Sequence, residues 1–182
     1  MPAASMPEIV VRRLAAEEAA ARVADLAEIL LDCVAGGASV SFMADTTRAQ
    51  ATAFWAGVAE CVAAGTTILL GAQAEDGSLV GTVQVCAAGK PNQPHRADLA
   101  KMLVHGAARG RGVGAALLAA AEREALTAGW WLLVLDTTPD SAADRLYARQ
   151  GWIPVGVIPD FAFWPEGGLG ATRFYYKDLR GG

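Results

Sequence analysis

A β-type run ends at Val104, and by Val113 an Ala/Leu-rich helical pattern has begun. Between them stands HGAARGRG, followed by Gly114, so arginines 109 and 111 alternate with glycines 110, 112 and 114. This junction constrains the chain more than any other stretch. The first N–H groups of a helix have no partner within the helix, and the helix dipole adds partial positive charge there. Glycines let a phosphate approach that backbone closely. Arginines supply cationic donors suited to phosphate oxygens. RGRGVG (109–114) therefore predicts a pyrophosphate cradle on a strand-loop-helix unit.

Two familiar phosphate motifs compete for the stretch. A P-loop needs Gly-Lys-Ser/Thr, which is absent. Gly110, Gly112 and Ala115 match the dinucleotide fingerprint G-x-G-x-x-A, and Asp136 ends the next strand near the distance of a ribose-binding acid. An NAD-dependent oxidoreductase is thus one reading. Against it, HGAAR separates Val104 from Gly110, whereas that fingerprint opens directly after its strand, and antiparallel-looking strands precede it.

The surrounding pattern predicts a mixed α/β sheet in one domain. Glu8 to Leu14 reads as a strand. Val23, Leu26, Leu30 and Val34 have helical spacing within a helix from Ala16 to Val34, closed by Gly36-Gly37. Thr46 or Asp45 can cap a second helix, Thr47 to Ala64. TTILLGAQA and LVGTVQVCA, separated by EDGS, predict a hairpin. Asp98 to Val104 is the strand that feeds the loop, and the helix after it runs from Val113 to Ala128. WWLLVLD (130–136) reads as a buried strand and Ser141 to Gln150 as a short helix. Two final strands, WIPVGVI and TRFYYKDL, are joined by a Pro/Gly-rich loop. The expected division is a flexible N-terminus, residues 1–7, and a single domain, residues 8–180.

Composition narrows the function. Of 182 residues, 15 are Lys or Arg and 19 Asp or Glu, a net charge of −4, which argues against a nucleic-acid partner. No apolar run approaches the roughly 20 residues that span a bilayer. The start, MPAASMPEIVVRRL, lacks a secretory signal pattern, so the expected location is the cytoplasm. Cys33, Cys61 and Cys86 lie in apolar stretches without CxxC spacing and read as reduced core thiols. His95 and His105 are too few for a His-based metal site, so no metal is expected; both read as solvated loop residues.

The loop resembles motif A of the GCN5-related N-acetyltransferases (GNAT), Q/R-x-x-G-x-G/A, with Arg109, Gly112 and Gly114 in its fixed places. DRLYARQGW (144–152) is similar to the same family's L/F-Y-x-x-x-G-F segment, with Trp152 replacing Phe. GGASVSFMAD (36–45), ADLAKMLVHGAARGRGVG (97–114) and LDTTPDSAADRLYARQGW (135–152) are similar to a branch of the family that acetylates a small amino-acid-like β-lactam toxin. The resemblance implies an α/β (α+β) fold with a mixed, mostly antiparallel sheet, a V-shaped splay between strands 4 and 5, and helices on both faces. It implies acetyl-CoA as cosubstrate, a small-molecule amine as acceptor and dimerisation as a common assembly.

It also implies a site. Met102, Leu103 and Val104 would meet the pantetheine arm. Arg109, Gly110, Arg111, Gly112, Val113, Gly114 and Ala115 would hold the diphosphate. Asp98 and Asp136 are the two candidate general bases, since the acceptor ammonium must lose a proton. Tyr147 matches the tyrosine that protonates the departing thiolate. Phe42, Met43, Asp45 and Trp164 are expected around the acceptor. The cysteines fit no nucleophile-and-base motif, which favours direct transfer over an acyl-enzyme. A sensor that binds acyl-CoA without turnover is the remaining alternative; it would need the cradle but not Asp98, Asp136 and Tyr147.

Overall fold

The computed structural model describes residues 9–181, so the expected flexible segment 1–7 lies outside the described residues. The chain forms β1 (Val10–Arg13), α1 (Ala16–Ala21), α2 (Val23–Ala35), α3 (Arg48–Ala63), β2 (Thr67–Gln73), β3 (Leu79–Ala87), β4 (Arg96–Val104), α4 (Val113–Thr127), β5 (Leu132–Thr137), α5 (Ala142–Arg149), β6 (Ile153–Phe163) and β7 (Leu169–Asp178). A short 3₁₀ turn, Gly106–Ala108, lies between β4 and α4. The seven strands make one sheet in the order β1-β2-β3-β4-β5-β7-β6. The β4–β5 pair is parallel and every other pair is antiparallel.

Both faces are covered, and the sequence alternation shows how. On β2, Ile68, Leu70 and Ala72 face a core shared with α4 and α5, while Leu69 joins Leu14, Leu79 and Leu103 beneath α1–α3. Strands with two apolar faces require helices on each side. Trp55 is completely buried in the second core, and Trp152 is nearly so in the first. The β-hairpin, β4, α4 and α5 follow the sequence reading closely.

Four expectations change. The first helix is interrupted at Arg22, whose φ of −101° and ψ of 10° end α1 and open α2. The cap of α3 is Thr47 rather than Thr46 or Asp45: its hydroxyl accepts the Gln50 N–H, and the Gln50 side chain answers the Thr47 N–H. The last connection is a tight turn rather than a long loop, because β6 continues to Phe163. Its prolines are tolerated since β6 is an edge strand, and Pro159, Asp160 and Phe161 fall in a register break. Finally, only Cys33 is a buried thiol; Cys86 is partly covered and Cys61 is exposed. Among the described residues no helix is long and apolar enough to cross a membrane.

Candidate active site

Arg96, Ala97 and Asp98 pair with Leu132, Leu133 and Val134, and there the β4–β5 pairing stops. From Leu99 onward β4 pairs only with β3, while β5 continues on β7. The two strands splay apart. His105 donates its N–H to the Val80 carbonyl on β3, 2.9 Å away. Because successive amides of a strand point to opposite sides, the Val104 N–H faces the open gap.

The loop after β4 has the geometry of an anion cradle. Gly112 caps α4 with φ 78° and ψ 0°, a left-handed conformation with no capping side chain. Gly110 has φ 72°. No atom stands within 4 Å of where a Cβ would be at either glycine, so open space lies over this backbone. Gly114 serves packing instead: a Cβ there would meet the Leu146 side chain at 3.2 Å. The first N–H groups of α4, at Val113, Gly114 and Ala115, remain uncapped by any side chain.

Asp32 of α2 ties this loop down. Its carboxylate accepts the Gly106 N–H at 2.7 Å and lies 3.6 Å from His105 Nε2 and 3.7 Å from the Arg109 guanidinium. Arg109 Nε also donates to the Val104 carbonyl at 3.0 Å. Arg109 thus braces the strand end as well as bordering the cleft. His105 stands beside Asp32 with a third of its side chain still exposed, and His95 stacks on Trp131 at 4.4 Å.

The splay opens into a cleft of about 960 Å³ that reaches from the cradle to the loop between α2 and α3. Met102, Leu103, Val104, Arg109, Gly110, Val113 and Ala115 border it, together with Asp136, Tyr147 and Phe42. Arg111, Asp98, Asp45 and Trp164 are not among its walls. Asp98 points to Arg96, 2.5 Å away. Asp45 is exposed. Trp164 packs over Gly170 and closes the β6–β7 turn. That turn is bound to the loop between α2 and α3 by the Ala44 N–H, which donates to the Pro165 carbonyl at 2.9 Å.

Tyr147 is held by α5. Ser141 caps this helix, and the buried Asp144 fastens it to β7. The Asp144 carboxylate accepts from the Tyr175 hydroxyl at 2.7 Å, from the Asp140 N–H at 2.8 Å and from Arg173. Burial pushes that carboxyl up, but these donors outweigh it and hold it below the usual carboxylate range. Tyr147 itself is only 5% exposed. Burial first, and the Asp136 charge second, raise its phenol well above the ordinary value. It stays protonated throughout the neutral range, the state a proton donor needs. Asp136 accepts the Thr172 hydroxyl at 2.8 Å.

Among the walls of the cleft that sequence reasoning missed are Lys101, Phe161 and Phe163. Burial pushes the Cys33 thiol up, with the nearby Arg109 only partly opposing it, so no buried thiolate is prepared here.

A central sheet with one parallel pair splays open beside a glycine cradle. A dinucleotide fold would instead need consecutive parallel strands. Residues 66–154 match the family described as Acetyltransferase (GNAT) domain. The chain holds within that match β2 to α5, and with them the splayed strands, the glycine loop and Tyr147. Its fold is shared by a phosphinothricin acetyltransferase from Sinorhizobium meliloti in complex with acetyl-CoA, at 17% identity and TM-score 0.78, over 94% of this chain and 88% of that one. A ribosomal-protein-alanine N-acetyltransferase from Brucella melitensis matches at 22% identity and TM-score 0.76, over 93% and 99%. A GCN5-related N-acetyltransferase from Kribbella flavida matches at 21% and 0.77, over 94% and 98%.

Proposed function

We propose that the protein acetylates the amine of a small molecule, of the amino-acid-like antibiotic or toxin kind, in the cytoplasm. The carrying observation is that Asp136, Tyr147 and the open side of Val104 border one cleft, continuous with the glycine cradle. Support for the acceptor comes from the GGASVSFMAD segment, which is similar to the tabtoxin resistance acetyltransferase and whose residues 36–43 line the cleft on the side we assign to the acceptor. Tabtoxinine-β-lactam is the specific candidate, and detoxification the corresponding role.

In this reading the loop of Arg109–Ala115 and the start of α4 bind the diphosphate, with Arg111 on its outer side. The backbone of Met102–Val104 receives the pantetheine arm. Asp136 takes the proton from the acceptor ammonium. The amine nitrogen then bonds to the thioester carbonyl carbon, whose developing oxyanion is met by the Val104 N–H. The C–S bond breaks, and Tyr147 protonates the leaving thiolate. Asp136 is preferred to Asp98 as base because it borders the cleft, whereas Asp98 is paired with Arg96. Asp98, at the closed end of the splay, is the alternative base, and Asp45 and Trp164 support the acceptor wall from outside. Transfer is direct, since the Cys33 thiol is held protonated.

The assembly we propose is a homodimer through the β6 edge. Every residue of β6 is exposed, including Val155 at 68% and Phe163 at 60%. An unpaired edge strand this long and apolar is a template for pairing; sedimentation equilibrium measures it directly.

The test is release of coenzyme A thiol over a pooled amine library that includes tabtoxinine-β-lactam, with acetylated products identified by mass spectrometry. Asp136→Asn is expected to keep acetyl-CoA affinity and lower kcat by about 100-fold near neutral pH, within the range of a lost general base. Full turnover in Asp136→Asn would transfer the role to Asp98, and Asp98→Asn would then show the loss.

A further inference from the structure

The acceptor end of the cleft holds a charge that the acetyl-transfer chemistry does not use. On β4, Leu103 faces Thr82 while Ala100 faces Gln84, so Lys101 and Met102 together stand opposite Val83. This bulge puts Lys101 in the left-handed region, with φ 47°. Its side chain turns toward the α2–α3 loop. The ammonium approaches Ser41 Oγ at 3.2 Å and stands 5.7 Å from the Phe54 ring centre. Ser41 is itself left-handed, with φ 73°. Both residues line the cleft, near Phe42. A non-glycine residue held in this conformation on a central strand is uncommon, and such positions cluster at ligand sites.

Among the described residues Lys101 has no carboxylate within 4 Å, and neither has Asp136 a cation at that range. Yet the two charges act on each other across the gap. Burial pushes the Lys101 ammonium down from its ordinary value, and the Asp136 charge is the first influence that opposes it. A partly desolvated cation without a counter-ion gains from an incoming anion. The acceptor end therefore presents one positive and one negative group, on the two strands that diverge.

We infer that the acceptor is an amino-carboxylate, its carboxylate held by the Lys101 ammonium and the Ser41 hydroxyl while its amine faces Asp136. This rests on the acetyl-transfer reading and names the class of its acceptor. Lys101 is the specificity-determining residue. A neutral amine would leave the ammonium unmatched, and a site built around a polar contact rejects analogues that lack the partner.

The experiment compares free α-amino acids, including glutamate and lysine, with their carboxamides and with the decarboxylated amines, in a thiol-release assay on the full chain. The wild-type protein is expected to prefer the acids in kcat/KM by about 10- to 100-fold, the range of a charged hydrogen-bonded contact. Lys101→Met should raise KM for the acids by a similar factor, leave KM for acetyl-CoA within about twofold, and erase the preference; Lys101→Arg should retain part of it. Circular dichroism and the melting shift with acetyl-CoA establish that each variant is folded. Turnover of carboxamides equal to that of the acids overturns the inference while leaving acetyl transfer standing. So does loss of acetyl-CoA binding in folded Lys101→Met, which would place Lys101 on the coenzyme. Acetyl-CoA binding without thiol release from any amine overturns the acetyl-transfer reading, and the inference with it.

Discussion

Gly112→Asp abolishes acetyl-CoA binding, raising Kd by at least about 100-fold, or roughly 3 kcal/mol. The argument has two parts. The left-handed backbone at this position, φ 78°, disfavours any side chain by about 1–2 kcal/mol. More important, the space beyond the missing Cβ is open, so an aspartate folds without collision and occupies the volume proposed for the diphosphate. A carboxylate at a helix N-terminus is favourable for the helix and repulsive to a phosphate ligand. The variant should therefore melt only a few degrees below the wild type without acetyl-CoA and lose the ligand-induced shift. Gly112→Ala separates the contributions: it carries the backbone strain without the charge and should lose only part of the affinity. Titration calorimetry reads both.

Tyr147→Phe lowers kcat by about 10- to 1000-fold while the protein stays folded. The ring remains to pack against Trp152 and Tyr175, whose centroids lie 5.8 and 6.1 Å away. Only the hydroxyl is removed. The Kd for acetyl-CoA should stay within a few-fold, because the cradle is on another element. The phenol's raised titration point also gives a sign. The acid form is present across neutral pH and is not lost as pH rises through the ordinary tyrosine range near 10. Wild-type kcat should thus show no descending limb from Tyr147 below that range. Unchanged kcat in the Phe variant would remove the residue from the chemistry.

What the sequence made legible followed from local rules. The hairpin, the glycine cradle and α4 depend on turn residues, strand alternation and helix spacing within short windows. Tyr147 and Asp136, named from the family resemblance, both border the cleft. The rest depends on tertiary contacts. Lys101 reads as one charge in a strand, and only the bulge opposite Val83 turns it into the cleft. Asp32 lies on a helix 74 residues before the Gly106 N–H it accepts; no periodicity links them. The long β6 was obscured by Pro154, Pro159 and Gly156, which read as breakers but are compatible with an edge strand. Cys61 stands in an apolar helical stretch and reads as core, yet its face of α3 points outward.

The most direct measurement is a crystal structure with acetyl-CoA bound. The account predicts the diphosphate within hydrogen-bonding distance of main-chain N–H groups from Gly110 to Ala115, and the thioester carbonyl beside the Val104 N–H. A diphosphate held at any other surface, with the space above Gly110 and Gly112 still empty, would contradict it.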